Sequence, residues 1–168
     1  MTKDSKTKTT MRTVKEKILT EKISGILAGV SGEYFVAAEL SRRGYISSVT
    51  LKNTKGIDIL VANESATRTR GIQVKTNQNN RRAWVLNNKC EEFHADDLFY
   101  VFVNLVGIGQ LPEYYIVPSK VVADTVRTGH QAWLDTPGKK GQAHNDNPMR
   151  MFGDQEQKYL DKWDTLKL

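Results

Sequence analysis

Apolar and polar positions alternate in two runs near the middle of the chain. Residues 55–61 read Lys-Gly-Ile-Asp-Ile-Leu-Val and residues 71–76 read Gly-Ile-Gln-Val-Lys-Thr. A period of two is that of a half-buried strand. Ile57, Ile59 and Val61 share one face of the first run, with Asp58 on the other. Ile72 and Val74 share a face of the second, and Gln73 and Lys75 point the opposite way. The polar stretch 63–70 turns the chain back between them. A hairpin about the middle of that stretch sets Asp58 roughly opposite Lys75, with Gln73 two residues along on the same face. One acid, one amide and one amine then converge on one side of a sheet whose other side is apolar.

Before this hairpin the period is helical. Ile23, Ile26, Leu27 and Val30 follow steps of three and four. Gly25, Gly29 and Gly32 interrupt them, which predicts a break over residues 30–32. Ser31 then caps a second helix, with Glu33 in its first turn. Arg42 and Arg43 fill the last turn and Gly44 ends it. Residues 45–51 predict a strand rich in β-branched side chains, and residues 82–86 around Trp84 a fourth strand after the Asp58 and Gln73/Lys75 strands. Residues 98–106 are nearly all apolar and predict a central strand buried on both faces. Residues 113–117 predict another strand, and Pro118-Ser119 opens a helix to about Val126. Residues 127–149 are rich in Gly, Pro, Asn, His and Lys and read as a surface arm. Residues 154–163 predict a last helix burying Tyr159, Leu160 and Trp163. Residues 1–10 read as a disordered basic tail, residues 11–126 as the core domain, and residues 127–168 as an extension packed on it.

Charge narrows the partners. Lys and Arg number 25 against 19 acids in 168 residues, a net +6 with a pI near 9.4. That balance favours a polyanion, nucleic acid first. One cysteine, Cys90, excludes an internal disulfide and a Cys-rich zinc site. No apolar run approaches a membrane span, and no apolar signal core opens the chain, so a soluble cytoplasmic protein is expected.

The Asp58, Gln73 and Lys75 grouping has two readings. A carboxylate beside an amide oxygen suits a hard cation such as magnesium, and a nearby ammonium orients a water or stabilises charge on a phosphate. The same residues also make an ordinary cross-strand ion pair on a solvated face.

The order of elements decides more. It runs helix with Glu33, strand, strand with Asp58, strand with Gln73-x-Lys75, strand, then alternating strand and helix. This order resembles the PD-(D/E)XK nuclease superfamily, the restriction-endonuclease-like fold also used by Holliday-junction resolvases, over residues 31–126. The resemblance implies an α/β (α+β) core with a central mixed β-sheet flanked by helices. It implies Asp58 as the principal ligand of Mg2+ or Mn2+, Gln73 as the second, Glu33 as the helix acid, and Lys75 as the catalytic lysine. Gln73 stands where a second acid is usual, and Ile57 where proline is usual. DNA is the implied substrate, and a homodimer would address two strands. Arg42, Arg43, Arg81, Arg82, Lys139 and Lys140 are the expected phosphate contacts, with Arg68 and Arg70 completing a ring around the site. A second reading keeps the fold without catalysis, as a module binding DNA or a protein partner.

Other clusters carry less. His94-Ala95-Asp96-Asp97 reads as a polar helix start, and His144-Asn145-Asp146-Asn147 lacks the paired ligands of an HNH site. Cys90 has no catalytic signature around it. Trp84, Trp133 and Trp163 suit a core better than base stacking.

Overall fold

In the computed structural model, residues 22–51, 56–78 and 80–168 are described. The expected basic tail and the first residues of the expected core domain, 11–21, lie outside them. A five-stranded sheet in the order β1-β2-β3-β5-β6 forms the centre. Its strands are β1 (Ile46–Val49), β2 (Ile59–Ala62), β3 (Thr69–Asn77), β5 (Leu98–Asn104) and β6 (Glu113–Pro118). All neighbours are antiparallel except β3 and β5. Every residue of β5 is buried, as its unbroken apolar run requires. The fold is therefore the mixed α/β arrangement expected, a central mixed sheet flanked by helices.

One face of the sheet is covered by α1 (Gly25–Arg42) and by a short 3₁₀ turn, Trp163–Leu166. The other face carries α2 (Ser119–Asp135) and a two-stranded ribbon of β4 (Ala83–Asn87) and β7 (Met149–Gly153). Aromatic rings fill this second core. Phe102 stacks on Phe152 at 4.5 Å between centroids, and Trp84 lies 5.0 Å from both Phe102 and Tyr115. The Trp84 indole N–H donates to the Val103 carbonyl at 2.9 Å. Trp84 and Trp163 are thus core residues.

Four expectations are corrected. First, α1 does not break at residues 30–32. It runs unbroken, capped at Ser24, whose hydroxyl accepts the Leu27 N–H at 3.3 Å. Each interior glycine costs a helix about 1 kcal/mol. Full burial of Val36 and Leu40 on the same stripe outweighs that, at about 1.5–3 kcal/mol per side chain. Gly32 is also required, because a Cβ there would collide with the Thr76 hydroxyl.

Second, the hairpin register is one pleat different. Asn63 closes the turn, its N–H donating to the Arg68 carbonyl at 3.2 Å and its side-chain oxygen accepting the Arg68 N–H at 2.9 Å. Ile59 therefore pairs with Ile72, which brings Asp58 level with Gln73 rather than Lys75. Third, β4 leaves the main sheet and pairs with β7, a strand the sequence pattern did not suggest. Arg150 of β7 is buried on Glu91, which explains why this polar stretch still packs.

Fourth, the two C-terminal helix predictions fail in opposite directions. α2 continues to Asp135, past its buried residues. Arg127–Asp124 and Gln131–Asp135 contacts support its exposed turns. Residues 154–163 form no helix. The Asp154 carboxylate accepts the N–H groups of Lys158 and Tyr159 at 3.0 and 2.9 Å, and Gln157 and Asp161 turn left-handed. The chain then runs beside β6, with the Ile116 N–H donating to the Tyr159 carbonyl at 3.0 Å. The open edge of β6 competes for these backbone groups and prevails over local helical periodicity.

Candidate active site

The site begins where two strands stop pairing. β2 and β3 pair only as far as Ile59 with Ile72, whereas β3 runs on to Asn77 against β5. The other edge of β3 is open from Gln73 onward. Asp58 fills the first gap. Its N–H donates to the Ile72 carbonyl at 2.8 Å, and its carboxylate Oδ2 accepts the Val74 N–H at 2.7 Å. The side chain thus replaces a missing rung of the ladder. Among the described residues its other oxygen has no partner.

Strand alternation sets the rest. Ile72 and Val74 point into the core beneath α1. Gln73 and Lys75 point to the opposite face, level with Tyr100 and Phe102 of β5. There they line a cavity of about 490 Å³ together with Asn87, Lys89, Cys90 and Phe93. Asp58 stands beside this cavity rather than in its wall. Burial raises the Tyr100 hydroxyl well above its ordinary range, and the charges of Cys90 and Asp58 add to the rise. Burial likewise pushes the Cys90 thiol up to about 11; Glu91 adds to this, and Arg150 and Lys75 pull it back. Lys75 and Asp58 therefore both act electrostatically on the floor of one cavity. Glu33 follows Gly32, the residue seated against Thr76, and is half-buried on α1, which covers the sheet face opposite to Gln73 and Lys75.

The expected ring of cations does not form. Arg42 and Arg43 lie at the far end of α1, roughly 15 Å along its axis from Gly32. They pair with Glu39 at 3.2 and 3.0 Å, and Arg43 covers the Trp163 ring. Arg68 and Arg70 bind the carbonyls of Lys167 and Leu166 and so tether the last turn. Arg82 is half-buried, its Nε donating to the Tyr115 hydroxyl at 3.2 Å. Lys139 and Lys140 are exposed in the turn after α2. Arg81 is exposed near the site, its carbonyl held by Asn77 at the end of β3 at 2.7 Å.

Lys89 and Asn87 were missed by sequence reasoning. They come from the end of β4 and the 3₁₀ turn Asn88–Glu91, where the Asn87 side chain accepts the Lys89 N–H. An Asn-Asn-Lys run after a strand signals a turn and nothing more. His94 and its acidic neighbours make no site: Asp97 pairs with Arg70 at 2.8 Å. His144 stacks on Trp133 at 4.1 Å, and Asp146 binds His130. Among the described residues no three His, Cys, Asp or Glu side chains gather as metal ligands.

No family model matches the chain, and no curated protein matches it. Among solved structures, a bacterial homing endonuclease, I-Ssp6803I, superposes with a TM-score of 0.51 over 86% of this chain and 92% of that one, at 14% identity. The chain shares a nuclease's fold. At that identity the likeness is one of architecture, and the chemistry rests on this chain's own residues. Among the described residues no helix is long and apolar enough to cross a membrane.

Proposed function

We propose that this protein is a metal-dependent DNA endonuclease of the PD-(D/E)XK type. The observation that carries the reading is the open edge of β3. There a half-buried carboxylate stands beside a cavity lined by an amide and an amine, on a fold shared with an endonuclease. The nearest donors suit a hard cation, being oxygens: the Asp58 carboxylate and the Gln73 amide, with the Glu33 carboxylate on α1 as the third donor that the reading would require. Mg2+ or Mn2+ held there supplies Lewis-acid polarisation of a phosphate and lowers the pKa of a bound water.

The chain's own groups do the remaining work. The Val74 N–H fixes one Asp58 oxygen, so the other is aimed without further reorganisation. Lys75 orients the attacking water and stabilises the charge that grows on the phosphate oxygens as the P–O bond to the leaving strand breaks. Lys89, which lines the cavity, and the exposed Arg81 would hold the flanking phosphates by charge. Gln73 in place of an acid lowers the charge at the metal and so weakens its binding.

The test is cleavage of linear, nicked, supercoiled and four-way-junction DNA with Mg2+ or Mn2+, beside Asp58→Asn and Lys75→Ala. Metal-dependent cutting lost in both variants is the expected result. DNA binding without cutting by all three proteins would instead favour a non-catalytic DNA-binding module. The neutral Gln73 is the observation that speaks for that second reading.

A further inference from the structure

The turn Asn88–Glu91 brings Lys89 and Cys90 to the cavity, and it is too short to hold itself. A single turn of 3₁₀ helix closes few hydrogen bonds, and those of poor geometry. Its local ties are the Asn87 side chain, which accepts the Lys89 N–H at 3.1 Å, and the Lys89 carbonyl, which accepts the Glu92 and Phe93 N–H groups at 3.3 and 3.0 Å. The other ties come from far along the chain, and two of them converge on Glu91. The Arg150 Nε donates to the Glu91 carboxylate. From α2, the Arg127 Nη2 donates to the Glu91 carbonyl at 2.7 Å. Beside them the Asn88 N–H donates to the Pro148 carbonyl at 2.8 Å.

Arg150 is the centre of this clamp. Its side chain is 8% exposed and that of Glu91 18%. The same guanidinium donates through Nη1 to the carbonyls of Asn147 and Met149 at 2.6 and 3.0 Å, with the Asp146 carboxylate at 3.9 Å. One planar fork therefore joins the turn to the start of β7. An ion pair this enclosed loses to desolvation much of what its attraction returns, and an apolar pair of similar volume often serves stability as well. What the fork adds is orientation, because its donors are fixed in one plane. The orientation of the turn in turn decides where Lys89 points. We infer that Arg150 is a positioning residue of the proposed nuclease site: through Glu91 it fixes the turn that presents Lys89 to the DNA backbone. The inference rests on the proposed DNA reading of that cavity. It gives the extension after residue 126 a part in the site. Arg150 itself, enclosed and committed to Glu91 and two carbonyls, offers little to a phosphate, so its effect on DNA passes through Lys89.

Two measurements on the full chain test it. Hydrogen–deuterium exchange needs no DNA. In Arg150→Gln the amides of Lys89, Glu92 and Phe93, which close the turn, should accelerate about tenfold more than those of β5, which report global unfolding. Fluorescence anisotropy with labelled DNA over a salt series reads the consequence. Arg150→Gln should flatten the slope of log affinity against log salt by about one phosphate contact, as Lys89→Ala does. Adding Lys89→Ala to Arg150→Gln should flatten it no further, since that contact is already lost. In Arg150→Lys an ammonium keeps the Glu91 pair without the fork, and exchange at the three amides should fall between the parent and Arg150→Gln. This variant replaces Arg150→Gln if the latter does not fold. Turn amides that accelerate no more than β5 overturn the proposal. So do slope losses from Arg150→Gln and Lys89→Ala that add. A Lys89→Ala slope equal to the parent's overturns it by a different route: the turn amides still accelerate, and the DNA reading of the cavity is what fails.

Discussion

Asp58 has two tasks, and substitutions separate them. One oxygen satisfies the Val74 N–H in place of a strand partner, and the other is the metal donor of the proposed site. Asp58→Ala leaves that N–H unpaired at a half-buried edge and should cost about 1–2 kcal/mol in urea unfolding. Asp58→Asn keeps an acceptor and should cost much less, while removing the negative donor. If the reading of the site is right, cleavage is lost in both variants and stability in one. Cys90 gives a prediction in pH. Its thiol is pushed from 9.0 to about 11 by burial. The folded state holds this proton more tightly than the unfolded state, so the contribution is full below pH 9 and is lost as pH rises towards 11. Thermal melts across that window should fall less steeply for Cys90→Ala than for the parent. The identities of Asp58, Gln73 and Lys75 as a group were legible in the alternation of two short runs. The partners were not. Lys89, Asn87 and Tyr100 reach the same cavity from segments whose local pattern says only turn or buried strand.

At the scale of elements, α1 shows how one substitution changes sign with place. At Gly29 a Cβ meets nothing within 4 Å, and at Gly32 it meets the Thr76 side chain. Gly29→Ala should stabilise the protein by about 0.5–1 kcal/mol through helix propensity alone. Gly32→Ala gains the same propensity but forces α1 off β3, and should destabilise by about 1–3 kcal/mol net. Chemical denaturation of the two variants compares them directly. The glycines of α1 suggested a break in the sequence because propensity is local. Close approach to Thr76 is a long-range condition that propensity does not register. The same contrast explains residues 154–163. Their spacing is helical, but Asp154 captures two backbone donors and β6 offers an unpaired edge. The first is a local capture that competes with helix, and the second depends on a strand distant in the chain.

At the scale of the molecule, charge and closure matter most. With a net +6 and DNA as the proposed partner, affinity should fall steeply between about 50 and 200 mM salt. Arg81→Ala and Lys89→Ala should each flatten the slope of log affinity against log salt by about one phosphate contact. Arg42→Ala, bound to Glu39 far from the site, should not; fluorescence anisotropy with labelled DNA reads all three. Closure depends on the end of the chain. Leu166 is fully buried beneath the sheet, and its carbonyl holds Arg70. Leu166→Ala should therefore cost about 2–4 kcal/mol, measured by urea unfolding. By itself the sequence determined the strands with clear alternation, the fully apolar central strand, the mixed α/β class and the shared face of Gln73 and Lys75, because those follow from periods of two and from hydrophobic burial. Only the tertiary structure decided the register that brings Asp58 level with Gln73, the departure of β4 to pair with β7, and the dispersal of the expected arginine ring. Each of those depends on which distant backbone and charged groups are left to be satisfied once the core has closed.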